Sequence, residues 1–540
     1  MQKSSLHNRF LKSIMNIRNR NPLQKLLKLQ QTGGKMKRQA GVLMAVSSLP
    51  SRYGMGCFSV EAYKFIDFLA ASGQSCWQIL PLSPTGHGEP CDSPYKAYSA
   101  FAGNPYYIDL QALIEDGALT QEECDAIDWG SDPSMVDYDK MDEHRIKLLR
   151  TAYDRTDLST HPDFVRFCAD NAWWLDDYAL FMSLKDFFGD IPHQEWPEDI
   201  RMRWGFALDY YNEHLYFDIE FHKYLQYYFF RQWEAVKKYA NERNIRIVGD
   251  IPIYVAPDSA DVWVHPELFQ LDEEHLPQAI AGCPPDAFSA TGQIWGNPLY
   301  RWDYHKSTGY SWWMSRLYQN FRLYDIIRID HFRGFDQYYS VPADAESALE
   351  GHWEDGPGID FFNCMNWMLG HKDIIAEDLG TMTRSVRKLV RESTFPNMKV
   401  IQFAFDPEDQ GAAGDYLPHN YNRNCVVYTG THDNDTLVGW FKSASPEVRQ
   451  LACAYVGMPN LKAAQAADAF IGLAMTSHAN ICIIPIQDWL GLGTEARMNV
   501  PARQAGNWAW RMKAGALTKK LGEKMLLTTQ VHGRLNWDNF

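Results

Sequence analysis

Four acids stand at the ends of apolar runs in this chain: Asp250 after "IRIVG", Asp330 after "DIIRI", Glu377 after "DIIA", and Asp433 in "YTGTHDNDT". Desolvating a carboxylate is costly, so a chain that sets one against a buried run needs a partner or a use for it. In "IIRIDHFRGF" (326–335), Arg328, Asp330, His331 and Arg333 fall within six positions. Side chains alternate along a strand, so Arg328 and Asp330 point the same way, and the guanidinium would hold the carboxyl ionised. Partial desolvation of Glu377 would raise its pKa, which suits a group that donates a proton near neutrality. In "EDLG", Asp378 is the better candidate for a helix N-terminal acid. An ionised Asp, a proton-donating Glu and a third carboxylate are the tools of retaining glycoside chemistry, in which two carboxyls about 5–5.5 Å apart act as nucleophile and acid/base. His432 and Asp433 could ligate a metal, but no second histidine cluster accompanies them. Hydrogen bonding to sugar hydroxyls is the better use.

These acids need a scaffold that gathers strand ends. Eight short apolar runs have strand character: 41–47, 76–82, 245–253, 324–330, 372–378, 398–405, 425–433 and 481–488. They are continuous rather than alternating, as strands buried on both faces are. Helical patterns separate several of them, among them 220–244, which leads into the third run. Alternation of strand and helix predicts a parallel sheet. Eight units predict an α/β fold of the (β/α)8 barrel type, with its site at the C-terminal strand ends. Two stretches lengthen the repeat. Between the second and third runs, Phe164, Phe167, Cys168, Leu175, Tyr178 and Met182 follow helical spacing, and a mostly helical inserted subdomain is expected at about 106–215. The stretch 254–323 is rich in Gly, Pro and aromatics and is expected to form a long active-site loop region. The catalytic barrel with these insertions would span 37–540.

A formal charge of −15 argues against nucleic acid or an anionic membrane as partner. Ten cysteines without a C-x-x-C sit singly in apolar runs, as reduced core residues of a cytoplasmic protein do. No run of 18 or more apolar residues suggests a membrane span. Residues 1–36 carry eight Lys/Arg and no acid, and lack the apolar core of a secretory signal. They are expected to be a disordered basic extension outside the fold. A plastid-type transit peptide and an upstream start, with Met36 as the working one, both account for them.

Five motifs carry a resemblance: "CDSPYKAYSAFAGNP" (91–105), "GQIWGNPLYRW" (292–302), "RIDHFRGF" (328–335), "IAEDLG" (375–380) and "YTGTHDNDT" (428–436). In this order they resemble the amylomaltases, the 4-α-glucanotransferases of glycoside hydrolase family 77 in the α-amylase clan, from about Gly41 to the C-terminus. The resemblance implies Asp330 as nucleophile, Glu377 as general acid/base and Asp433 as the group that binds sugar hydroxyls and stabilises the transition state. It implies substrate-binding places for Tyr95, Asp250, Asp286, Gln293, Trp295, Arg328, His331, His432 and Asn499, with Asn507 and Trp508 in the same last motif as Asn499. No metal and no organic cofactor are implied. The implied partners are malto-oligosaccharides with glucose as acceptor, extending to starch or glycogen, for a monomer or homodimer. Two departures stand out. "GHGEPCDSPY" has His87 and an acidic spacer where many members carry an aromatic tied to a second glucan-binding spot, and Lys96 replaces the more usual glutamine. An α-1,4-glucan hydrolase using the same carboxylates is the nearest alternative. A divalent-metal barrel enzyme and a silent glucan-binding protein are the others.

Overall fold

The computed structural model describes residues 38–86, 92–285, 291–380, 382–406, 413–501, 503 and 505–539. The basic extension 1–36, His87 and Asp286 lie outside the described residues.

Each of the eight apolar runs contributes a strand to one closed parallel barrel. In chain order these are β1 (Gln39–Leu43), β2 (Cys76–Gln78), β3 (Arg246–Ile251), β6 (Ile326–Ile329), β9 (Ile374–Ala376), β10 (Asn397–Val400), β11 (Cys425–Tyr428) and β12 (Ile481–Pro485). Successive members pair in parallel, and β12 closes the circle on β1, with Gln39 opposite Ile481 and Leu43 opposite Pro485. Residues of β6, β9 and β11 are buried throughout. They face the barrel interior on one side and helices on the other, which is why their sequences do not alternate. Most strands end before their apolar runs do. The run 398–405 gives the short β10 and then a 3-10 turn, Ile401–Phe405, whose Ile401, Ala404 and Phe405 remain buried. The apolar run records burial, not ladder pairing, so it continues past the last strand residue.

Between β2 and β3 the described chain is helical. The helix Pro162–Phe187 packs along Tyr216–Glu242, with Pro162 at its first turn, where a missing N–H costs nothing. Phe164, Leu175, Tyr178 and Phe181 belong to the same continuous core as Trp233 and Ile247. The helices between the second and third barrel strands therefore share the barrel's core rather than closing one of their own.

The stretch 254–323 holds more order than the loop reading allows. It carries β4 (Ala279–Cys283), β5 (Gln293–Pro298) and the helices Trp302–Ser307 and Ser311–Leu323. With β7 (Gln337–Pro342) and β8 (His352–Asp355), β4 and β5 form a four-stranded antiparallel sheet in the order β5-β4-β7-β8. A small cluster of Tyr339, Val341 and Ala348 supports it. Among the described residues no helix is long and apolar enough to cross a membrane.

Candidate active site

Arg328 organises the C-terminal mouth of the barrel. It lies opposite Asp250 in the β3–β6 ladder, so the two side chains meet across neighbouring strands. Its Nη1 donates to both Asp250 oxygens (2.8 and 2.7 Å), and its Nη2 donates to Asp330 Oδ1 (2.8 Å). Burial works against the Arg328 charge, yet Asp250 and Asp330 together hold it well above the ordinary guanidinium value. Lysine offers a point charge in place of this fork. Arg328→Lys is therefore expected to lower kcat/KM about 100-fold or more with the circular dichroism spectrum retained, as steady-state transfer rates will measure.

The backbone turns sharply after Asp330. His331 takes a left-handed conformation (φ 51°), and its N–H donates to Glu377 Oε2 (2.7 Å). Leu379 N–H donates to the other oxygen, Oε1 (2.8 Å). Glu377 is 9 % exposed. Burial first and Asp330 second push its carboxyl up to about 8, against the pull of Arg328 and the two N–H groups. At pH 7 it is therefore mostly protonated and able to donate. The His331 ring stands edge-on to Trp295 (centroids 4.9 Å apart), and burial pushes the imidazole down to about 4, leaving it neutral.

Asp378 is not the N-terminal acid of a helix. Residues 377–380 are irregular, and the next helix, Arg384–Ser393, starts at a Thr383 cap. Asp378 instead accepts from Asn397 Nδ2 and Met398 N–H (both 3.0 Å), tying the end of β9 to β10.

Asp433 is held from two sides. Asn499 Nδ2 donates to its Oδ1 (2.6 Å), and His432 Nε2 lies 3.3 Å from its Oδ2. Arg497 donates to the backbone oxygens of Asp433 and Asn499 (both 2.7 Å), fixing the two residues against each other. The Tyr95 hydroxyl donates to Asp250 Oδ2 (2.8 Å) and lies 2.9 Å from His432 Nε2. Its ring stacks on that of His432, with Trp508 beside both. Gln293 and Trp295 enter from β5, with the indole N–H donating to Gln293 Oε1 (3.1 Å).

One cleft of about 2930 Å³ brings Tyr95, Gln293, Trp295, Arg328, Asp330, His331, Glu377, Asp433 and Asn499 to a common wall. Asp250 and His432 do not reach that wall. Both are buried behind it, where they hold Arg328, Tyr95 and Asp433. Asn507 accepts from Val500 N–H (2.9 Å) and donates to Arg503 O (2.8 Å), shaping its own loop. Sequence reading passed over Arg497, which stands in the motif of Asn499 two positions earlier. It also gave no role to Arg333, whose guanidinium lies over the Trp353 ring at the cleft (4.0 Å). Among the described residues no group of three or more His, Cys, Asp or Glu side chains is arranged to hold a metal ion.

A closed parallel barrel with three acids from three strand ends, gathered at one open cleft lined by aromatic and polar side chains, defines a (β/α)8 enzyme of the kind that suits carbohydrate chemistry. A family model described as 4-alpha-glucanotransferase matches residues 44–518, and the chain belongs to that family, glycoside hydrolase family 77. It is 45% identical to a 4-alpha-glucanotransferase of Clostridium butyricum over 91% of this chain and 100% of the relative. It is 44% identical to one of Streptococcus pneumoniae over 93% and 98%. The solved structure of an amylomaltase from Streptococcus agalactiae in complex with acarbose superposes with a TM-score of 0.89 at 38% identity, over 93% of this chain and 100% of that one. The protein is thus a 4-alpha-glucanotransferase, a glycosyltransferring enzyme, and the hydrolase reading gives way to transfer.

Proposed function

We propose that Asp330 is the nucleophile of a retaining double displacement on α-1,4-glucans, with Glu377 as general acid/base. In the first step Asp330 attacks the anomeric carbon and Glu377 protonates the departing glycosidic oxygen. The donor's reducing-end fragment leaves and a glucosyl ester on Asp330 remains. In the second step an acceptor's 4-hydroxyl gives its proton to Glu377 and attacks the ester carbon, restoring both carboxyls. Asp433, held by Asn499 and His432, binds sugar hydroxyls and stabilises the oxocarbenium-like transition state. Tyr95, Gln293, Trp295, His331 and Asn499 contact the sugars. Asp250 acts behind them by holding Arg328, whose Nη2 orients Asp330. The observation that carries this reading is the contrast within one cleft: Asp330 sits on a guanidinium, while burial holds its neighbour Glu377 at about 8. A carboxyl bonded to a guanidinium, beside one that burial keeps protonated, is the pairing a nucleophile and a proton donor need.

The substrates we infer are malto-oligosaccharides as donors, with glucose or another malto-oligosaccharide as acceptor, reaching to starch or glycogen. The sheet strand β5, with Trp295, would cover the ester and hold an acceptor where water would otherwise react. We infer further that 37–540 is the catalytic unit, with insertions at about 106–215 and 254–323. Residues 1–36 would lie outside it, and the protein would work in the cytoplasm as a monomer or homodimer.

Pure maltotriose with a chelator tests this. Glucose together with maltotetraose and longer chains is the expected product pattern. Glucose and maltose alone would overturn the proposed shielding, and turnover lost to the chelator would overturn the all-carboxylate mechanism.

A further inference from the structure

Asp488 takes no part in the roles assigned above. It lies on the short helix Ile486–Leu490 that follows β12, is 2 % exposed, and makes no ion pair among the described residues. A buried carboxylate without a counter-ion is an expensive choice for a packing position. Its two oxygens have separate duties. Oδ2 accepts from the Thr429 hydroxyl (2.6 Å), and Oδ1 accepts from Leu437 N–H (2.7 Å). Thr429 is the first residue after β11, and Leu437 is the first of the helix Leu437–Ser443. The segment between them, 430–436, carries His432 and Asp433. One carboxylate therefore ties the entry of that segment to its exit. Inside it, Asn434 Oδ1 accepts from the N–H and hydroxyl of Thr431, and Thr431 Oγ1 accepts from Asp433 N–H (3.2 Å). These bonds couple the Asp433 backbone to the two ends, beside the bond its carbonyl oxygen accepts from Arg497.

We propose that Asp488 is a positioning residue for glucan transfer, fixing both ends of segment 430–436 and so the place at which Asp433 meets the sugar. The inference rests on the transition-state role given to Asp433 above. Because Asp433 works in the transition state, a displaced segment affects kcat more than KM.

The test uses the full chain, maltotriose disproportionation, and rates referred to folded protein. Asp488→Ala is expected to lower kcat about 30-fold with KM within about twofold. Asp488→Asn is expected to recover kcat to within about fivefold of wild type, because its amide oxygen keeps the Leu437 bond and the Thr429 hydroxyl can turn to accept from the amide nitrogen. In an Asn499→Ala background, Asp488→Ala should cost less than about threefold, since both changes act through Asp433. Unchanged kcat per folded molecule, or the full loss repeated in the Asn499→Ala background, would overturn the proposal. If Asp488→Ala does not fold, Thr429→Val takes its place, with about a fivefold kcat loss and the same non-additivity expected. Unchanged kcat there overturns the proposal equally. Asp433→Asn separates the two readings. Full turnover in that variant removes the role of Asp433 and this inference with it. An inactive Asp433→Asn beside a fully active Asp488→Ala removes this inference alone.

Discussion

Asp330→Asn abolishes maltotriose disproportionation, lowering kcat by about 10⁴-fold or more, while the protein folds and still binds malto-oligosaccharide. The amide is nearly isosteric but cannot form the glucosyl ester, so neither half of the exchange proceeds. Binding survives because the cleft wall contributed by Tyr95, Gln293, Trp295 and Asn499 is untouched. The variant also disturbs Arg328, which loses one of its two charged partners but keeps both bonds to Asp250. Isothermal titration with maltotetraose beside single-turnover kinetics separates the effects. A variant that retains wild-type turnover would remove Asp330 from the chemistry.

Glu377→Gln has two consequences. Turnover of natural glucans falls about 10³–10⁴-fold, because the leaving oxygen loses its proton donor. An activated donor such as a glucosyl fluoride, whose leaving group needs no proton, restores formation of the ester. The wild-type profile of kcat/KM carries a descending basic limb near pH 8 that the variant lacks, since Glu377 titrates at about 8 and donates only below it. The second concerns stability. The folded pKa lies above the unfolded value of about 4.3, so the folded state binds more protons across this interval. The contribution of Glu377 is fully present below the unfolded value and is lost as pH rises through about 8. A glutamine cannot ionise, but its amide nitrogen cannot accept from the His331 or Leu379 N–H. The variant is therefore expected to be less stable than wild type at pH 4 and to narrow that gap by roughly 1–3 kcal/mol at pH 8. Thermal denaturation at both pH values measures this, and a gap that does not narrow between pH 4 and pH 8 would contradict the raised pKa.

The barrel was legible because its strands are buried on both faces. Runs such as "CVVY" and "ICIIP" leave little choice but a two-sided core position. The pairing of Arg328 with Asp330 was legible for a similarly local reason, the alternation of side chains along one strand. The second partner, Asp250, was visible only as a strand-end acid, because the register that sets it opposite Arg328 is a relation between strands. Tyr95 and His432 lie further out of reach, 337 positions apart. The small antiparallel sheet escaped notice because its strands are short and broken by Gly and Pro. The β4–β5 pairing is also shifted between Ile280 and Gly282, so alternation fades. The irregular course of "EDLG" was hidden too, since Asp378 turns to bond the neighbouring strand instead of a helix end.

That sheet also sets a rule for redesign. Trp295 and Gln293 reach the cleft on β5, β5 is held by β4, and β4 is held by β7, which follows the next barrel strand. The proposed cover over the sugars is thus one object made from two separate excursions of the chain. A transplant of residues 279–298 alone from a relative would arrive without its seat. The unit of exchange is 279–298 together with 337–355, and the same pairing implies that substitutions in the two segments accumulate in step as acceptor preference diverges.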